Sequence, residues 1–185
     1  MTTVGGLVAM RPAIDHPDLL AGPVLRALAG LAGGDQVAVA AIDPDLSDTA
    51  AFVAAYRVPS ELSVNCVLIC GRRDGEQRTA AALVPATTRA DVNGLVRRAL
   101  DVRKASFLAM EQAVEQTGME YGGITAIGLP GGWRLLVDAR VPGLPAVVIG
   151  SGVRRSKLVL PGRVLANLPG AEVVEGLGRQ VGPVP

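Results

Sequence analysis

Met119-Glu120-Tyr121-Gly122-Gly123-Ile124-Thr125-Ala126-Ile127-Gly128-Leu129-Pro130-Gly131-Gly132-Trp133 runs directly into the apolar stretch Arg134-Leu135-Leu136-Val137-Asp138. Five glycines and a proline between a helix-like and a strand-like segment imply backbone conformations or close approaches that side chains would forbid. A tight connection packed for its own sake has the same composition. A second cluster, Gly150-Ser151-Gly152, ends another apolar strand a short distance downstream, so two strand-end glycine loops are expected to face one cleft.

Working outward, residues 1–180 read as one domain, since 185 residues can bury an adequate core without disulfides or metal. The Pro/Gly-rich residues 181–185 read as a flexible tail. Hydrophobic residues make up 49% of the chain but aromatics only 3%, so the core must be aliphatic. Eighteen basic against 17 acidic side chains argue against a protein that coats nucleic acid by bulk charge. Cys66 and Cys70, four apart in one apolar run, fall on the same face of a strand and too far apart for a disulfide, so both read as buried reduced thiols. The absence of an apolar stretch of about 18 residues, and of a secretory leader pattern, leads to the expectation of a cytoplasmic protein without membrane contact.

Along the chain, a loose Gly-containing start leads to a helical spacing from Leu19 to Leu31, broken by Gly22-Pro23 and stopped by Gly33-Gly34. Residues 37–42 form a strand, and Ser47 or Asp48 caps a helix through Phe52 and Tyr56 that Pro59 terminates. Val64 to Cys70 and Thr79 to Val84 form a hairpin around the polar turn 71–75. Thr88 sets up a helix through Leu100, with Asp91 in its first turn and Arg97-Arg98 in its last, as suits the helix dipole. A short extended piece at 104–108 precedes a helix from Met110 to Gln116, closed by Gly118. The final third holds strands at 134–138, 146–149 and 157–160, a helix starting at Pro161 and a last strand at 171–174. Without a steady βαβ alternation, the fold class is α/β in the mixed α+β sense, with a mixed, mostly antiparallel central sheet flanked by helices.

Several chemistries lack their parts. His16 is the only histidine, which leaves no multi-histidine metal site and no Ser-His-Asp triad. Ser151 does not sit in a Gly-x-Ser-x-Gly elbow, and neither a phosphate-binding P-loop nor a dinucleotide fingerprint is present. No cofactor or metal is therefore expected. Of three basic clusters, Arg154-Arg155 with Lys157 stands apart, because it follows a strand-end glycine loop where N–H groups and guanidinium forks can hold a phosphate. From residue chemistry alone, the expectation is a pocket for an anionic ligand.

The run Gly122-Gly123-Ile124-Thr125-Ala126-Ile127-Gly128 resembles the Gly-Gly-[Ile/Val]-[Ser/Thr]-Pro-[aliphatic]-Gly loop of the YbaK/prolyl-tRNA-synthetase-associated editing domain family. The strand 80–84, Pro85 and the helix at 91–100 follow the family's order, as do Glu115-Gln116-Thr117-Gly118, the strand ending in Asp138, and Val148 to Gly152. This resemblance, from about Leu19 to Val174, implies a YbaK-like fold and hydrolysis of the ester joining a wrong amino acid to the 3′ end of a tRNA. The family lysine is replaced by Asn65 and the family proline by Ala126. Asn can hydrogen-bond to a ribose hydroxyl or phosphate but supplies no charge.

On that resemblance, Asn65, Gly122 and Gly123 are the candidate catalytic residues, with Asn65 holding the terminal ribose and the glycine backbone orienting amino acid and water. Ile124, Thr125, Gly128 and Asp138 are candidate substrate contacts. Gly150, Ser151 and Gly152 would line the opposite wall, with Arg154 or Lys157 near a terminal phosphate. Asp138 reads equally as a structural cap. Lys104 could swing in as a replacement cation but reads better as a surface neighbour of a helix end. The implied partners are the aminoacylated 3′ end of a tRNA and, further, an aminoacyl-tRNA synthetase. The alternative is a module that binds tRNA ends or a small ligand without turnover.

Overall fold

The computed structural model describes residues 1–180, so the expected tail at 181–185 lies outside the described residues. The chain forms strands β1 (Thr2–Val4) and β2 (Leu7–Ala9), helix α1 (Gly22–Ala29), β3 (Ala38–Ala41), α2 (Thr49–Tyr56), β4 (Val64–Arg73), β5 (Glu76–Pro85) and β6 (Thr88–Ala90). It continues through α3 (Arg97–Leu100), β7 (Ala105–Phe107), α4 (Met110–Thr117), β8 (Arg134–Asp138), β9 (Val147–Gly150), β10 (Ser156–Leu160), α5 (Gly162–Ala166), β11 (Ala171–Val174) and β12 (Gly178–Gln180).

The largest sheet has the order β11-β8-β5-β4-β7, in which β4 pairs antiparallel with β5 and β7, while β8 runs parallel to β5 and β11. A second, antiparallel sheet has the order β3-β10-β9. The sheets meet where Ser63, just before β4, bridges in parallel to Val148 of β9. The chain is thus mixed α/β, with antiparallel pairings in the majority.

Period-two alternation explains the layers. Ala81 and Leu83 of β5 and Leu135 and Val137 of β8 join Leu158 and Leu160 of β10 and Val24 and Leu28 of α1 in the main core between the sheets. The intervening Ala80, Ala82, Val84 and Leu136 pack on the far side against Val96 and Leu100. On the outer face of the second sheet, Ala40, Val148 and Val159 pack under Phe52 of α2. Among the described residues, no helix is long and apolar enough to cross a membrane.

Several local expectations are corrected. The loose start is a hairpin, β1 to β2, turning at Gly5 with φ 59°. Pro23 sits in the first turn of α1, where its missing N–H costs nothing, so Gly22-Pro23 begins the helix instead of breaking it. The β4–β5 turn is only Asp74-Gly75, with φ 53° and 84°, both positive as a tight type I′ hairpin turn requires, so the strands run further than 70 and start earlier than 79. Thr88 lies in β6 with its hydroxyl donating to the Pro85 carbonyl at 2.8 Å; Asp91 caps the helical segment instead, accepting from Gly94 and Leu95 N–H. That segment starts as a π-helical turn, Val92–Val96, before α3. The helix before Pro59 does run through Tyr56 as expected, and left-handed Arg57, with φ 51°, ends it.

Candidate active site

The two glycine loops are in backbone contact. Gly152 N–H donates to the Gly123 carbonyl at 2.7 Å, and a Cβ on Gly150 would lie 2.2 Å from that carbonyl and 2.6 Å from the Ile124 carbonyl. Only a residue without a side chain fits at position 150. Beside this contact lies a cavity of about 370 Å³, lined by Gly122, Ile124 and Tyr121 from the first loop and by Gly150 and Ile149 from the second. Asn65, Cys66 and Leu68 of β4, the Ser47-Asp48-Thr49 segment with Phe52, and Lys157 complete its wall.

Asn65 Oδ1 accepts a hydrogen bond from Thr49 Oγ1 at 2.9 Å, which leaves its amide N–H groups for a ligand. Lys157 is central in the second sheet, paired across to Ala40 and Gly150. Its side chain follows the outer face of that sheet to α2, where Nζ donates to the Ser47 carbonyl at 2.9 Å and stands 5.3 Å from the centre of the Phe52 ring. Burial pushes the Lys157 pKa down to about 8, with Arg154 adding to the shift and Asp48 opposing it. Asp48 is otherwise engaged as the cap of α2, accepting from Ala50 N–H at 3.0 Å. Cys66 and Cys70 are both unpaired and half-buried; burial pushes the Cys66 thiol up to about 12, so it stays protonated and is no nucleophile at neutral pH.

Other candidates from the sequence stand outside the cavity lining. Gly123 closes the loop through both of its backbone groups, its N–H donating to the Glu120 carbonyl at 2.9 Å. Thr125 is fully buried, and its hydroxyl has no hydrogen-bond partner. A Cβ on Gly128, whose φ is 85°, would lie 2.5 Å from the Pro23 carbonyl oxygen, and one on Gly152 would lie 2.4 Å from Ala21 Cβ. Ser151 is buried and shares a 2.6 Å hydrogen bond with Ser156 Oγ. Asp138 accepts from the Arg140 guanidinium and backbone and from Gly178 N–H at 2.7 Å, tying β8 to β12. Burial alone would raise its carboxyl, but those donors hold it below the ordinary carboxylate value. Arg154 braces the first loop from outside, its guanidinium donating to the Pro44 and Tyr121 carbonyls. Lys104 is exposed and not part of the cavity wall.

Residue reasoning took Ser47 and Asp48 only as helix caps and missed Thr49 and Phe52 as cavity residues. Lys157, expected near a terminal phosphate, is part of the cavity wall. A signal for the latter was present: a lysine opening the apolar run Leu158-Val159-Leu160 in a strand flanked on both sides must aim its charge at something.

The model of the aminoacyl-tRNA editing domain family matches residues 43–168, more than half of the chain and every wall of this cavity. The chain belongs to that family. Among solved structures, this editing domain is similar to a protein provisionally described as a trans-editing enzyme for prolyl tRNA synthetase, with TM-score 0.70, 21% identity, and coverage of 84% of this chain and 94% of the other. It is similar also to a hypothetical protein, with TM-score 0.62, 22% identity, and coverage of 72% and 85% respectively. A scaffold used for computational epitope grafting has TM-score 0.70, 21% identity, and coverage of 84% and 95%. At these identities the likenesses are of fold. No curated protein matches the editing domain.

Proposed function

We propose that this editing domain is a deacylase that acts in trans, hydrolysing the ester between a wrongly attached amino acid and the 3′-terminal ribose of a tRNA. The observation that carries the reading is the convergence of the Gly122 to Ile124 turn, the Asn65 amide and an ammonium on one cavity. An aminoacyl ester is already reactive, so catalysis needs mainly positioning and donors aimed at developing charge. Asn65 N–H groups hold the terminal ribose, and the bare backbone of Gly122 lets the amino acid approach the loop. Ile124, Ile149 and Leu68 supply an apolar patch for its side chain. At about 370 Å³ the cavity lies at the small end for ligand sites, which suits a small amino acid such as Ala, Ser or Cys. The trans-editing description of a structural neighbour supports action on a tRNA charged by a separate synthetase, in the cytoplasm where charging occurs.

One feature favours a second reading, a binder without turnover: position 65, where the resemblance to the family implies a lysine, carries an amide. Release of amino acid from tRNAs mischarged with Ala, Ser, Cys and Pro separates the two. The deacylase reading expects hydrolysis by the wild type, slowed about tenfold in Asn65→Ala by loss of one hydrogen bond. Hydrolysis that appears only in Asn65→Lys would make the protein a binder.

A further inference from the structure

Lys157 is the only buried basic residue among the described residues, at 8% exposure. Burying an ammonium is costly unless it is paired, yet among the described residues it is in no ion pair. Its partners are a main-chain carbonyl and the face of Phe52, a cation–π arrangement. One N–H is spent on Ser47, and the others are available to the cavity that Asn65 also lines. The segment Ser47-Asp48-Thr49 links the two groups, its first residue holding Lys157 and its third holding Asn65.

We propose that Lys157 is a catalytic residue that restores the positive charge missing at position 65, entering from the β10 wall and holding the ester carbonyl oxygen as it becomes an oxyanion. The inference rests on the deacylase reading above. In the step, the oxygen of a water bonds to the ester carbon and the C=O π pair moves onto the carbonyl oxygen, where Nζ–H meets it. Collapse re-forms C=O and breaks the bond to the ribose oxygen. That oxygen takes up one proton while the attacking water sheds one, so water and ester become amino acid and ribose hydroxyl.

The charged form is the active one, and burial places its loss of a proton near pH 8. The other ionisable groups around it are Asp48 at the start of α2, Arg154 beside the glycine loop, Cys66 on β4 and Tyr121 in the loop. Of these, burial pushes the Cys66 thiol up to about 12, well above the range in which Lys157 loses its proton.

The test measures kcat, KM and the pH profile on the tRNA that the wild type hydrolyses best, after subtracting uncatalysed hydrolysis. In Lys157→Met, kcat should fall roughly 10²- to 10³-fold, as for loss of one oxyanion donor, with KM little changed. Wild-type kcat should decline above about pH 8, and Lys157→Arg, which stays charged, should retain part of the activity without that decline. The arginine variant keeps the test alive if the methionine variant fails to fold. Wild-type kcat in Lys157→Met, or the same alkaline decline in Lys157→Arg, overturns the role of Lys157 while leaving the deacylase standing. A wild type that releases no amino acid from any of the tRNAs overturns both.

Discussion

Replacing Gly150 by alanine tests whether the contact between the two loops has been read correctly. The added Cβ would lie 2.2 Å from the Gly123 carbonyl oxygen and 2.6 Å from that of Ile124, where an ordinary carbon–oxygen contact is about 3.3 Å. Both obstacles are backbone. Strand β9 cannot yield easily either, because Gly150 is in register with Lys157 on β10. The loops must therefore part by about 1 Å, which costs about 1–3 kcal/mol of overpacking and about 1 kcal/mol for the strained Gly152 to Gly123 hydrogen bond. A loss of roughly 2–4 kcal/mol corresponds in a domain of this size to a fall in Tm of about 5–15 °C. Circular dichroism melts of Gly150→Ala against Gly131→Ala, where nothing lies within 4 Å of the new methyl group, check it. A Tm for Gly150→Ala within about 2 °C of wild type, inside the error of such melts, would refute the packing argument.

Two further outcomes concern buried polar groups. Thr125→Val should leave the shape of the core intact and remove a hydroxyl that has no partner, raising stability by about 1–3 kcal/mol in urea unfolding; a decrease would mean the hydroxyl is satisfied. Asp138 has a folded pKa below its ordinary value, so its stabilisation is full above the carboxylate range and is lost as pH falls through the depressed folded value. Asp138→Asn should cost roughly 2–3 kcal/mol at pH 7, below the usual figure for a broken buried pair because Arg140 is half exposed, and should flatten the acid limb of stability against pH. An acid limb as steep as that of wild type would rule that account out.

Much of this architecture is legible from residue pattern because its strands are apolar runs, α2 is capped by Asp48 and α4 is closed by the left-handed Gly118. β8, β9, β10 and α4 fall within a residue or so of their expected places. The elements that escaped, β1, β2, β6 and β12, are three residues long, too short for alternation to register, and they owe their existence to a partner strand. In the site, glycine loops announce themselves because only glycine tolerates a 2.2 Å approach, whereas Asp138, Ser151 and Thr125 sit in the same motifs and point into the core. Motif membership reports that a residue is near a site; which way its side chain points is decided by strand phase and by loop dihedral angles. Lys157 points into the cavity because the outer face of its sheet is roofed by α2.

The two tethers on the Ser47-Asp48-Thr49 segment differ in what genetic drift can do to them. Lys157 is held by a main-chain oxygen, which every amino acid at position 47 provides, so no single codon change there deletes the anchor outright. Asn65 is held by a hydroxyl, which position 49 keeps only as threonine or serine. The ammonium end of the cavity is therefore robust to neutral substitution in its anchoring segment. The amide end is fragile, and a lineage carrying this fold would be expected to lose the orientation of Asn65 long before it lost that of Lys157.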